Sequence, residues 1–551
     1  MHAANWTRWA ALAVAIALLN FGLTFESLWP TPWIRPHWAL SIELGALALG
    51  LALIAERFGP PSRRALTWLS GACVALVLTR YVEVSARELY GRPINLYYDA
   101  PHLPRVVAMF VEGTPPWVLV AAAAAAALGL LALYALVRWS WGRLARALAE
   151  PRPRRLVAAV AGGVCAAYVL APGWFTPPVT ANYARQAALL AHALGSGASP
   201  LGPSPPLASD LARVAGADVF LIFVESYGAA TYDRPEHAAR LAARRGALAA
   251  AITASGRSVV SAFVESPTFG GASWLAHASL MAGVEVRQGD TYNLLITERR
   301  ETLVQAFARR GYRTVALMPG LRQDWQEGAA FYGFDDVYDA ARLDYRGPEF
   351  GWWRIPDQYA LAKFDRLESA GAPRRPLFVF FPTISSHAPF RPTPPYQPDW
   401  ARLLSERPYD PDVERAVRAQ RTDWTNLAPA YADAVDYALA WLAGYLRERA
   451  GADFVLIVIG DHQPPAGVGG ENPSWEVPVH VIASRPALLE ALTASGFAQG
   501  LEPRRPAIGR MHELTPILIR AFGSSAQPGV DVAGAAGGAQ SAKPGAHHVG
   551  L

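Results

Sequence analysis

At 551 residues, with 52% hydrophobic and only 17% charged side chains, the chain is too apolar for an ordinary soluble enzyme and long enough for several domains. Its net charge of +5 is modest for this length and suggests no nucleic-acid partner; the arginines behind it suit loops that flank a membrane. The two cysteines, Cys73 and Cys165, both fall in apolar runs, so cysteine usage does not decide the redox compartment.

The apolar density lies at the front. Runs at 9–25, 38–55, 65–82, 116–137 and 156–171 each approach the length that spans hydrocarbon, which predicts a polytopic α-helical membrane domain of about five spans over 1–175. The first run follows Arg8, but no small-residue cleavage site follows it and a second run comes soon after. It is expected to be retained rather than removed as a signal peptide. The loop after the second run carries Arg57, Arg63 and Arg64. The loop after the fourth carries Arg138, Arg143, Arg146, Arg152, Arg154 and Arg155. By the positive-inside rule these loops are cytoplasmic, and everything after about residue 175 lies outside. Glu43, near the outer end of the second run, reads as a snorkelling or helix-paired carboxylate.

A juxtamembrane segment over 176–215 comprises a short helix at 181–194 and the Gly/Ser/Pro-rich linker "GSGASPLGPSPPLAS". From 216 to 523 the texture changes. The runs "DVFLIFVE", "RSVVSAFVE", "YRTVALMP", "PLFVFFPT", "DFVLIVIGDH" and "VPVHVIAS" alternate with helical stretches such as "YADAVDYALAWLAGYLRER". Continuous apolar strands alternating with amphipathic helices predict an α/β domain with a mainly parallel sheet covered on both faces. The remainder, 524–551, is a low-complexity tail whose His547 and His548 read as solvated.

Several of these strands end in chemistry-bearing residues. The first ends at Glu225, and a later one stops at Asp461 and His462 before a double proline. Carboxylates and neutral imidazoles ligate divalent metals, and parallel sheets collect ligands beyond the carboxyl ends of their strands. Between them "SPTFGGASWLAHASLMAG" turns at a Gly-Gly pair and begins a helix at Ser273. That hydroxyl is either an N-cap or, beside a metal and a phosphate-binding helix N-terminus, a nucleophile.

With about five spans followed in order by "IFVES", "GGASW", "SSHAPF" and "GDH", the chain resembles the lipoteichoic acid synthase group. These are sulfatase-like members of the alkaline phosphatase superfamily, with the bacterial phosphoethanolamine transferases as more distant relatives. The resemblance implies a sulfatase-like (alkaline-phosphatase-like) extracytoplasmic domain. It also implies a metal site made of Glu225, Asp461, His462 and the nucleophile's oxygen. The metal would be manganese, zinc or magnesium. The implied activity is a membrane phosphotransferase moving a phospholipid headgroup phosphate, of phosphoglycerol or phosphoethanolamine type, to an envelope glycan or lipid acceptor at a bacterial cell membrane.

The family's nucleophile position falls on Ala272 or Ser273; Ser273 carries the hydroxyl, with Thr268 as the alternative. His387 would face the substrate phosphate. Trp325 would contact the headgroup, with Arg322 beside it, because the arginine expected two positions after Trp325 is Glu327. Trp352, Trp353 and Asp357 read as structural, and His277 and His480 as packing residues. The Cys/Ser-x-Pro-x-Arg pattern of sulfatases proper is missing, which argues against sulfate-ester hydrolysis. A phosphodiesterase or phosphatase, or a non-catalytic membrane scaffold on the same fold, are the alternatives.

Overall fold

The computed structural model describes residues 2–28, 33–90, 94, 96, 100, 103–104, 107–108, 111, 114–194, 201–322, 325–350, 354–368, 374–470 and 473–524. Trp352, Trp353, His547 and His548, part of the linker and the tail beyond Ser524 lie outside these.

The front of the chain is helical: α1 (His2–Thr24), α2 (Ile42–Phe58), α3 (Arg63–Tyr90), α4 (Pro116–Ala149), α5 (Pro151–Leu170) and α6 (Pro178–Leu194). Four stretches, Trp6–Thr24, Arg63–Ala86, Pro116–Ala149 and Pro151–Leu170, are long and apolar enough to cross a membrane. The second expected span, 38–55, differs. It forms α2, whose 17 residues rise about 25 Å at ~1.5 Å each, short of a hydrocarbon core of roughly 30 Å. Gly59, at φ 82, stops that helix and donates its N–H to the Ala55 carbonyl. Trp38, Phe58, Trp68 and Leu170 stay exposed, an outward apolar display suited to lipid rather than water.

Two carboxylates fasten α6 to this bundle. Glu43 accepts the Thr180 N–H at 2.9 Å at the start of α6 and the Ser41 hydroxyl at 2.9 Å, so it is the helix-paired carboxylate expected. Glu83, buried on α3, lies 3.2 Å from an Arg80 guanidinium nitrogen and 3.1 Å from one of Arg185. The helix expected from residue 181 starts at Pro178, since a proline suits the first turn, where its missing N–H has no partner to lose.

The rest of the described chain is built on one eight-stranded sheet. Its strands are β1 (Asp218–Val224), β2 (Ser258–Glu265), β3 (Arg313–Leu317), β4 (Asp336–Tyr338), β5 (Leu377–Pro382), β6 (Phe454–Gly460), β7 (Glu476–Ala483) and β8 (Ala498–Gln499), in the order β8-β2-β7-β6-β1-β5-β3-β4. The helices that concern the site are α7 (Pro235–Ala254), α8 (Ser273–Ala282), α9 (Asp357–Glu368), α10 (Ala428–Glu448) and the one-turn α11 (Ala466–Gly469).

Alternation along β1 shows why both faces are covered. Val219, Leu221 and Phe223 enter a core shared with α8, while Phe220, Ile222 and Val224 enter a second core with α7, α9 and α10. Each such side chain contributes roughly 1.5–3 kcal/mol on burial, which locks β1 at the centre. From β6 through β1, β5 and β3 to β4 every pairing is parallel, as expected. The "VPVHVIAS" run is a correction: as β7 it runs antiparallel to both β6 and β2. A parallel return needs a long crossover, usually helical, and between Gly460 and Glu476 the described chain has only the one-turn α11.

Candidate active site

β1 and β6 are neighbours, with Val224 opposite Gly460. The residues that follow, Glu225 and Asp461, therefore leave the sheet side by side. Ser226 then turns into the left-handed region at φ 58. Its N–H donates to Asp461 Oδ1 at 2.8 Å and its hydroxyl to Glu225 Oε1 at 2.9 Å. Asp461 Oδ1 also accepts the His462 N–H at 2.7 Å, so that oxygen is spoken for and Oδ2 remains. His462 Nδ1 lies 2.8 Å from the Gln463 carbonyl. A carbonyl can only accept, so Nδ1 carries a proton and Nε2 is the nitrogen turned toward the carboxylates, free to ligate once its own proton is displaced. Nε2 faces Glu225 Oε1 at 3.4 Å and Asp461 Oδ2 at 3.7 Å.

Ser273 reaches this group through a tight turn. Gly270, Gly271 and Ala272 have φ of 66, 149 and 60. For Ala272 the left-handed conformation costs about 1–2 kcal/mol, strain that the surrounding packing has to hold. Ala272 is the residue before the helix, and Ser273 is the first residue of α8. Its hydroxyl caps nothing. Ser273 Oγ lies 3.1 Å from Glu225 Oε2 and 3.1 Å from His462 Nε2. Thr268 is occupied elsewhere: buried, it donates its hydroxyl to the Gly271 carbonyl at 2.6 Å and holds the turn.

These atoms fit a divalent ion. Ligand bonds of ~2.1 Å in a tetrahedron put neighbouring ligand atoms about 3.4 Å apart. Here the close approaches among Glu225, His462, Asp461 and Ser273 run from 3.1 to 3.7 Å. The Glu225, Asp461 and His462 ligand atoms all lie within 4.8 Å of one another, on buried residues. The electrostatics agree. Burial opposes ionisation of Glu225, yet the charge and hydrogen bond of His462 hold its carboxyl well below the usual range. Burial and the neighbouring Glu225 push Asp461 up to about 8. Burial works against charge on His462, but Asp461 and Glu225 raise it to about 9. Without an ion the cluster therefore keeps protons near neutral pH, and an incoming divalent cation displaces them.

The "SSH" loop is pinned from both sides. Thr383 Oγ1 accepts the Glu225 N–H at 3.1 Å, and Ser386 donates its hydroxyl to the Glu225 carbonyl at 2.7 Å. From α9, Asp357 accepts the N–H groups of Ile384 at 2.8 Å and Ser385 at 3.0 Å. Asp357 is structural, as expected, and what it supports is the loop carrying His387. That histidine is half-buried, and its charge helps to hold Glu225 ionised. Its Nδ1 lies 2.6 Å from the Ala388 carbonyl, which leaves Nε2 as the other working nitrogen.

The remaining expectations separate. Trp325 packs on Tyr332 and Phe334, over Gly328, where any Cβ would strike its indole, and Arg322 is exposed. His480 is a packing residue, buried within bonding distance of Ser261 and Tyr227. His277, one turn along α8 from Ser273, is wedged against Phe223 and Phe380. Sequence reasoning missed Ser226, Gln463 and Ser266, whose hydroxyl donates to the Asp461 carbonyl at 2.6 Å. Their only signal was adjacency to the motif residues.

Residues 259–482 match the family model described as Sulfatase, so the expected sulfatase-like α/β domain is borne out. The match includes Ser273, His387, Asp461 and His462, and Glu225 lies ahead of it. A search of curated proteins found no match. Among solved structures, the chain is similar to the lipoteichoic acid synthase LtaP from Listeria monocytogenes, at 14% identity over 51% of this chain and 68% of that one, with TM-score 0.35. It is also similar to the zinc complex of the C-terminal periplasmic domain of EcEptC from Escherichia coli, at 13% identity over 58% and 81%, with TM-score 0.34. A third is the Streptococcus pyogenes phosphoglycerol transferase GacH in complex with sn-glycerol-1-phosphate, at 11% identity over 56% and 76%, with TM-score 0.34.

Proposed function

We propose that this chain, whose sheet domain matches the Sulfatase family, is a metal-dependent membrane phosphotransferase. It takes the headgroup phosphate of a phospholipid, of phosphoglycerol or phosphoethanolamine type, and passes it to a glycan or lipid acceptor outside the membrane. The observation that carries this reading is the placement of Ser273 Oγ at 3.1 Å from both Glu225 and His462, on the first residue of a helix. A hydroxyl so placed is part of the cation's ligand set and is also aimed at whatever phosphate the helix N-terminus binds.

Glu225, Asp461, His462 and Ser273 would hold a divalent ion, whose chemistry is to stabilise negative charge on the serine oxygen. The hydroxyl proton of Ser273 leaves toward Glu225 Oε2, its hydrogen-bond acceptor. Ser273 Oγ attacks phosphorus, and the bond from phosphorus to the diacylglycerol oxygen breaks. His387 gives that oxygen a proton from Nε2, since Nδ1 is tied to the Ala388 carbonyl. The phosphate now rests on Ser273 as a diester with its headgroup alcohol. An acceptor hydroxyl, deprotonated by His387, attacks the phosphorus, and the bond to Ser273 Oγ breaks as that oxygen recovers its proton from Glu225 Oε2. Trp325 and Arg322 contact the headgroup alcohol in this reading. Water in place of the acceptor would make the same site a phosphodiesterase. The intact ligand set weighs against a non-catalytic scaffold, and the four apolar helices support a domain facing outward, with the arginines expected in loops at 57–64 and 138–155 placed instead on the adjoining helix ends.

The test is to incubate the full chain with phosphatidylglycerol or phosphatidylethanolamine labelled in the headgroup, then digest it and locate label by mass spectrometry. Label on the Ser273 peptide and loss of turnover in Ser273→Ala are expected. Label on Thr268 would replace the nucleophile, and wild-type turnover by Ser273→Ala would refute its role.

A further inference from the structure

Gln463 follows the Asp-His pair and is 1% exposed, yet it does not face the ligand atoms. Its side-chain amide is held at both ends. Oε1 accepts the Ala230 N–H at 3.1 Å, beyond the turn that carries Glu225 and Ser226, and Nε2 donates to the Glu476 carbonyl on β7 at 3.0 Å. Its main-chain carbonyl is used twice. It takes the proton of His462 Nδ1 at 2.8 Å, and it accepts the Gly270 N–H at 3.1 Å from the turn that delivers Ser273. One residue thus joins the three segments that carry Glu225, Ser273 and Asp461–His462.

Gly228 records the same tight fit. A Cβ there would lie 1.9 Å from Gln463 Oε1, although Gly228 is not in the left-handed region that demands glycine. The obstacle to a side chain at 228 is Gln463 itself.

We propose that Gln463 is a positioning residue: its buried amide fixes the peptide whose carbonyl aims His462 Nε2 at Glu225 and Ser273, and so sets the affinity and geometry of the metal centre. The proposal rests on the metal site of the function above. A histidine ligand whose other nitrogen is held by a carbonyl keeps one tautomer and one ring orientation, and losing such support weakens metal binding by about 10–100-fold. Here that carbonyl is itself held in place by the side chain of its own residue.

The experiment titrates the detergent-solubilised full chain with Co2+ alone, reading affinity and the visible ligand-field bands that report coordination geometry. Gln463→Leu strands the Ala230 N–H and the Glu476 carbonyl, and should weaken Co2+ about 10–100-fold with altered bands. Gln463→Glu keeps the shape and the acceptor for Ala230 but loses the donor to Glu476; it should fall between Leu and wild type. A role in shape alone would leave it at wild type. If Gln463→Leu does not fold, Gly228→Ala decides, because it displaces the amide and changes no ligand; its bands should shift in the same sense. Wild-type affinity and bands in Gln463→Glu and Gly228→Ala would overturn the inference while leaving the metal site standing. A wild-type chain that takes up no Co2+ would instead overturn the metal site, and this inference with it.

Discussion

Two clusters of buried charge, in different halves of the molecule, are balanced in opposite ways. On α3, Glu83 sits between two guanidiniums, Arg80 and Arg185, at 3.2 and 3.1 Å. At the sheet edge, Glu225 and Asp461 are also buried and have His462 as their close cationic neighbour. The first cluster contains its own counter-charge and can close around itself as a structural clasp. The second is short of positive charge, and protonation of Asp461 is how the fold tolerates that shortage. Burial alone does not mark a functional site; the sign of the uncompensated charge says what is missing.

Removing one carboxylate from each cluster should sharpen this contrast most. Asp461→Asn should lose divalent-ion binding and yet, above about pH 8 where Asp461 itself ionises, raise the thermal midpoint of the ion-free chain, because the amide still accepts from Ser226 and His462 without repelling Glu225. Glu83→Gln should do the reverse. It leaves Arg80 and Arg185 poorly paired, lowers stability by up to about 3 kcal/mol, and leaves the ion titration unchanged. Calorimetry of both variants with and without ion reads all four values, and matching signs for the two variants would break the comparison.

The pH dependence of the ion-free chain gives an intermediate effect. Asp461 at about 8 and His462 at about 9 stand above their ordinary values of 3.8 and 6.5, so the folded chain keeps protons that the unfolded chain releases. Their contribution is fully present only below the unfolded values and is lost as pH rises through the folded ones. Between pH 6.5 and 9 the melting temperature should therefore fall, and a saturating divalent ion should flatten the fall. His277 and His480, held down to about 3 by burial, change stability only below that window. A flat profile without ion would show that the cluster is not strained by its charge.

The smallest effect expected is that of Thr268→Ala. It removes one hydroxyl that donates to Gly271, for a loss of about 0.5–1.5 kcal/mol, and ion affinity should stay close to wild type. A large loss of ion affinity would mean that Thr268, and not only Ser273, belongs to the site.

The strands were legible because β1 and β6 are buried on both faces and so read as unbroken apolar runs, and their last residues pointed to the site. Register then did what the sequence could only suggest, setting Val224 opposite Gly460. The direction of β7 was not legible, because it depends on how little crossover follows Asp461 and not on the residues of β7. The length of α2 was misjudged for a related reason: the apolar run begins at Trp38, whereas the helix starts only at Ile42, after the Ser41 N-cap. Ser226, Ser266 and Gln463 left no chemical signature at all. They act by giving or taking backbone hydrogen bonds, and a serine or glutamine in a loop looks the same whether it does so or not.

The adjacency of β1 and β6 also bears on how the protein comes to be active. The ligands come from opposite ends of the sheet domain, so no fragment made early in synthesis contains the site, and the unfolded chain offers an ion nothing comparable. Such non-local pairing is slow to form. Once formed, a divalent ion at 100 times its dissociation constant would add about 2.7 kcal/mol to the stability of the native sheet. Ion supply would then act as a late checkpoint, drawing the finished domain away from its unfolded ensemble once the sheet has assembled.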